Sequence, residues 1–160
     1  MPGACLSIQC LKRAIVSLAL CLSAPQALAS DWGPWPMAKG SAFVAAGYEH
    51  DDGGALIVMC DTTTKLVSLA LRETRADWVP GSAIKFMTRA DDGSQLNDDL
   101  GRVLDPTHLI LREQATWHLH AMGKAIATFA VGTGEYGRIF PALNFRKAVA
   151  PVLAACGDSW

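Results

Sequence analysis

Trp117-His118-Leu119-His120 holds the first side chains in this sequence that could do chemistry. If the segment is a strand, His118 and His120 share one face, and two neutral imidazoles side by side are half of a zinc site. Zinc takes three or four ligands. The remaining donors are His50, His108 and scattered carboxylates such as Glu113, with no spacing that ties them to the pair. The competing expectation is two polar side chains turned away from a core faced by Trp117, Leu119 and Ala121. No metal site is therefore assigned, and His118 and His120 stand as candidates only.

A second chemical signal is the G-x-G-x-x-G formed by Gly132, Gly134 and Gly137. A dinucleotide fingerprint needs those glycines between a strand and a helix N-terminus, where the helix dipole meets the pyrophosphate. Here Arg138-Ile139-Phe140-Pro141 follows the last glycine, and no amphipathic helix begins before Asn144. The expectation is a glycine-rich connection between a strand and the last helix, with no nucleotide and no cofactor.

Acidic pairs occur at Asp51-Asp52, Asp91-Asp92 and Asp98-Asp99. None has the alternating ligands of a calcium loop, so solvated turn carboxylates are expected. Paired acids for glycoside hydrolysis must stand several ångströms apart across a cleft, which adjacency in sequence does not supply. No G-x-S-x-G is present, and Ser82 follows Gly81 in an expected turn. No catalytic residue is assigned.

The elements that would position these groups begin after residue 29. Lys12-Arg13, the apolar run from Ala14 to Leu22 and the ending Ala27-Leu28-Ala29 form the three parts of a secretory signal, predicted over residues 1–29. The run is shorter than the roughly 20 residues of a membrane span. Leu18-Ala19-Leu20-Cys21 lacks the small residue that a lipidation signal wants where Leu20 stands. Removal of the leader takes Cys5, Cys10 and Cys21 and leaves Cys60 and Cys156, which are expected to pair as a structural disulfide in a periplasmic or secreted protein. It also leaves twelve basic against fifteen acidic side chains, a balance that offers no basic patch to nucleic acid.

Residues 30–40 read as an N-terminal arm, and 41–160 as a single globular domain large enough to bury a core. Trp32 and Trp35, held extended by Pro34 and Pro36, either fold back on that domain or offer aromatic surface to a partner. Strands are expected at 42–48, 55–59, 66–71, 84–88, 109–112 and 126–131, separated by polar turn residues. Residues 115–122 fit a strand or a helix turn. Phe145, Ala148, Val149, Val152, Leu153 and Cys156 form one helical stripe, with Asn144 as N-cap, Gly157 as stop and Pro151 as a source of kinking.

These elements predict an α+β fold, an antiparallel β-meander or sandwich-like sheet with a disulfide-anchored C-terminal helix. The order "ALIVMCD", "AIATFAVG" and a short helix running into "AACGDSW" resembles small exported bacterial proteins of the type VI secretion accessory (VasI-like) kind, and more distantly the invasion-associated locus B-like proteins. The resemblance implies a non-enzymatic accessory of the bacterial envelope, partnered by an envelope or secreted protein. The opposing expectation is a small periplasmic hydrolase or metal-binding protein using His118 and His120.

Overall fold

The computed structural model describes residues 31–91 and 96–160. The predicted leader and Asp92 lie outside the described residues. The chain adopts the expected α+β class. Its strands are β1 (Gly33–Pro34), β2 (Phe43–Glu49), β3 (Ala55–Asp61), β4 (Leu66–Arg72), β5 (Ala83–Ala90), β6 (Leu96–Asp105), β7 (His108–Leu111), β8 (Thr128–Gly132) and β9 (Gly137–Pro141). Helix α1 (Ala115–Met122) sits between β7 and β8, and α2 (Phe145–Cys156) ends the fold.

All nine described strands join one antiparallel sheet in the order β1-β2-β3-β4-β7-β6-β5-β8-β9. The meander therefore breaks after β4. The chain crosses to β5, returns through β6 and β7 to pair with β4, and then adds β8 and β9 on the far side of β5. Strands β6 and β9 escape a reading of residue types because "LNDDLGRVLD" is polar and "GRIFP" is short and bounded by glycine and proline. Pro141 is tolerated because β9 is an edge strand, where a missing N–H breaks no ladder.

Side chains alternate between two faces along each strand. The inner face contributes Leu56, Val58, Leu69, Leu71, Phe86, Leu109, Phe129 and Phe140 to the main core, and Leu119, Met122, Phe145, Val149 and Leu153 of the two helices join it there. The sheet curls around this core until its ends touch. Phe140 of β9 lies 5.9 Å from the Tyr48 ring of β2, and the His50 ring lies 5.0 Å from Phe140. Contact between the two ends is made by side chains, since β9 and β1 stand at opposite ends of the ladder.

The arm folds back and straddles the edge of β2. Trp32 enters the inner core at 6% exposure, 4.8 Å from Phe145 between ring centres. Trp35 lies on the outer face beside Ala45, Ala55, Ile57 and Ala70, with the Arg72 guanidinium 5.6 Å from its ring. Gly47 makes room for it, since a Cβ there would come within 2.5 Å of the indole. Trp32 is thus withdrawn from any partner surface; among the two arm tryptophans only Trp35 keeps part of its ring in solvent.

Cys60 and Cys156 form the expected disulfide, with Cα atoms 5.7 Å apart, and it fastens α2 to the inner strand β3. The helix runs as one element through Pro151. Asn144 occupies the N-cap position in a left-handed conformation (φ 63°), but its amide donates to Asp31 at 3.0 Å and caps nothing. Gly157 ends the helix at φ 79°, and the Asp158 N–H returns to the Leu153 carbonyl at 2.9 Å.

Candidate functional site

Residues 115–122 are a helix, and that decides the fate of the two histidines. Successive residues on a helix advance by about 100°, so side chains two apart point to nearly opposite sides. Ala115, His118, Leu119 and Met122 fall at i, i+3, i+4 and i+7 and make the buried face. His118 is fully buried, whereas His120 is half-buried on another side of the helix, 6.0 Å from the Trp160 ring. The expected pair of outward imidazoles does not exist. Trp117, expected in the core, is 60% exposed, with its indole N–H donating to Asn97 at 3.0 Å.

His118 is the centre of a polar chain inside the fold. Its Nδ1 lies 2.8 Å from Thr88 Oγ1 of β5 and its Nε2 lies 3.0 Å from Asp99 Oδ2 of β6. A carboxylate only accepts, so Nε2 carries the proton toward Asp99 and Nδ1 accepts from the Thr88 hydroxyl. Phe86 packs edge-on against the ring at 5.5 Å. Burial is the main influence on the imidazole and lowers its pKa below the ordinary 6.5; hydrogen bonding to Asp99 and the charges of Asp99 and Asp98 act the other way.

Hydroxyl, imidazole and carboxylate in series is the connectivity of an activated nucleophile. The exposure is reversed, however. Thr88 is 1% exposed, while the Asp99 side chain is 37% exposed. A nucleophile must meet its substrate, and here the hydroxyl points into the core while the carboxylate faces solvent. The three residues act as a strut that seats α1 on β5 and β6. Asp98 and Asp99, expected as solvated turn carboxylates, lie instead on a strand, with Asp98 turned outward to pair with Lys85.

A second cluster joins the edge strand β9 to the β2–β3 turn and to the segment just past β4. Glu73, just past β4, is 1% exposed and receives Arg138 of β9 on both oxygens, at 2.8 and 2.9 Å. Arg75 also binds both oxygens, at 2.8 and 2.9 Å. Arg138 reaches on to Asp52 in the β2–β3 turn at 2.8 Å. Hydrogen bonds from Arg75, and then from Arg138, hold the Glu73 pKa at about 2 against the opposing effect of burial. Two guanidiniums and two carboxylates neutralise one another, and both Glu73 oxygens are occupied.

The other candidates have local structural roles. Asp91 accepts three backbone N–H groups, from Ile126, Ala127 and Thr128, at 2.6–2.9 Å. His108 bonds Asp105 at 2.9 Å. His50 packs on Tyr48 and Phe140, and burial, aided by the Arg138 charge, lowers its pKa. Among the described residues no three His, Cys, Asp or Glu side chains converge as a metal site would require.

The glycine motif connects two strands, not a strand and a helix. Gly132 pairs with Gly137 across the β8–β9 hairpin, and the Thr133 hydroxyl accepts the N–H groups of Glu135 and Tyr136. A Cβ at Gly132 would approach the Tyr136 carbonyl oxygen to 2.2 Å, which explains the glycine without a ligand.

What the fold leaves open is the outer face of β5 through β9. A shallow trough of about 320 Å³ runs over Met87, Arg89, Ala130, Gly132 and Ile139, and another of about 400 Å³ over Leu100, Arg102, Leu104, Ile110, Arg112 and Glu113. Sequence reasoning missed this face because it missed β6 and β9. The alternation of Leu100, Arg102 and Leu104 was its available signal. Comparison with known proteins finds no matching family model, and no curated protein or solved structure matches the chain.

Proposed function

We propose that this chain is an exported accessory protein of the bacterial envelope that works by binding another protein and not by catalysis. One observation carries the binding part. The buried pairs Glu73–Arg138 and Thr88–His118 are bonded to one another inside the fold, while Leu100, Leu104 and Ile139 stand 72%, 51% and 66% exposed on one sheet face. Exposed apolar groups that share a face mark interaction surfaces more often than singly scattered ones do. The export part is supported by the charged, apolar and small-residue order of residues 1–29 and by the disulfide, which suits an oxidising compartment. No helix among the described residues is long and apolar enough to cross a membrane.

The experiment combines intact-mass measurement of the protein from a periplasmic fraction with a hydrolase panel on the oxidised protein. A mass that begins at Ser30 and a silent panel are the expected results. The hydrolase alternative draws on the Thr88–His118–Asp99 connectivity. Turnover that vanishes in Thr88→Val, which keeps the side-chain shape, would overturn the binding assignment. A mass retaining Cys21 with an added acyl group would replace a free protein with a lipid-anchored one.

A further inference from the structure

Leu100, Arg102 and Leu104 alternate on the outer face of β6, and all three are exposed. The pairing register sets Ile110 of β7 opposite Arg102, and Arg112 follows two residues after Ile110 on the same face. The register shifts between Val103 and Asp105, a bulge at the strand end that carries Leu104. Neither Arg102 nor Arg112 forms an ion pair among the described residues, although Lys85, Arg72, Arg75 and Arg138 all do. The 400 Å³ trough thus sets two guanidiniums that form no ion pair among the described residues against one lining carboxylate, Glu113, beside three large apolar side chains, and the Arg112 charge is also felt by Asp61.

We propose that the outer face of β6 and β7 docks an extended segment of a partner protein that carries carboxylates next to large apolar side chains. The proposal rests on the binding assignment above and gives it a partner chemistry. The trough is partly open to solvent, whereas sites for small molecules bury roughly 70–90% of their ligand, so a macromolecular surface suits it better. Each guanidinium offers a planar fork that fits a carboxylate with two hydrogen bonds. Leu100 and Leu104 supply the apolar area that such a segment would cover. A second copy of this chain docked face to face would bring like guanidiniums together across a two-fold axis, so a complementary acidic partner is favoured.

The test is selection of random dodecapeptides displayed on phage against the oxidised protein, with phosphatidylglycerol vesicles as a parallel probe. The expected peptides are enriched in Asp or Glu beside Leu, Ile, Phe or Trp. Their affinity falls at least about tenfold in Arg102→Ala/Arg112→Ala and in Leu100→Ser/Leu104→Ser, and it weakens with salt. These positions are exposed, so unchanged melting of the variants separates docking from folding. Absence of selected peptides, absence of acidic enrichment, or indifference to both double variants overturns the docking site. Photocross-links from selected peptides to the Trp35 face instead would leave the binding assignment standing and remove this site. Vesicle binding that needs the two arginines while peptides do not would make the face a membrane contact and defeat the proposal.

Discussion

The indole N–H of Trp32 donates to the Pro141 carbonyl at 2.6 Å, joining residues 109 apart in the chain. That carbonyl belongs to the edge strand β9, so one side chain of the arm ties the beginning of the sheet to its end. Trp32→Phe keeps an aromatic ring among Tyr48, Phe129, Phe140 and Phe145 but removes the donor, and should cost about 1–3 kcal/mol. Trp32→Ala also leaves a cavity and should cost about 3–5 kcal/mol. Urea unfolding measures both. Equal midpoints for Trp32→Phe and the parent would show that the hydrogen bond adds nothing.

Arg138 of β9 closes the same seam against Glu73, just past β4, and against Asp52 in the β2–β3 turn. Arg138→Met leaves Glu73 to Arg75 alone and Asp52 without its partner, and a loss of about 3–5 kcal/mol is expected. The folded pKa of Glu73, about 2, lies below its ordinary 4.5, so the unfolded chain binds a proton first as pH falls. The stabilisation is complete above 4.5 and is lost as pH drops from there through about 2. Glu73→Gln should flatten that part of the acid-denaturation curve. An unchanged acid limb in this variant would assign the slope to other carboxylates.

His118 acts in a higher window. Its folded pKa lies below 6.5, so unfolded chains take up protons more readily there, and stability should decline as pH falls below about 6.5. His50 contributes in the same direction. Protonation of His118 would also make Nδ1 a donor and force the Thr88 hydroxyl to turn. Melting temperatures between pH 7.5 and 5.5 should fall less in His118→Gln than in the parent. The imidazole resonance of His118 should titrate below that of a free histidine; titration above 6.5 would contradict the buried, neutral assignment.

The Cys60–Cys156 bond spans 96 residues. Loop-closure entropy for about 100 residues gives roughly 4.7 kcal/mol as an upper figure, and a measured loss of about 2–5 kcal/mol is expected for Cys156→Ala. Hydrogen exchange should show α2 opening first, since a helix of 12 residues with an internal proline depends on its packing. Denatured, non-reduced protein should expose no free thiol from this pair. A Cys60→Ala/Cys156→Ala variant that melts with the parent would remove the stabilising role.

By itself the sequence determined the class of the fold, the disulfide and the last helix, because each rests on local composition or on arithmetic. Six expected strands fall on β2, β3, β4, β5, β7 and β8 within a few residues, where apolar runs are bounded by turn residues. Strands β6 and β9 were illegible because one half of each faces solvent and their ends carry glycine, aspartate or proline. They become strands by hairpin pairing with their chain neighbours β5, β7 and β8, whose ladders supply partners for backbone groups that their own residue types do not call for. The helical face of α1 was hidden for a related reason. One of its core positions is a histidine, which is compatible with burial only because Thr88 and Asp99 meet both ring nitrogens. Glu73 and Arg138, 65 residues apart, show no relation in sequence and become a buried pair only when the sheet curls. Local residue types can set periodicity and turns, but the pairing of separated polar groups is fixed by closure of the sheet, and a buried charge is tolerated only after that closure brings its partner within reach.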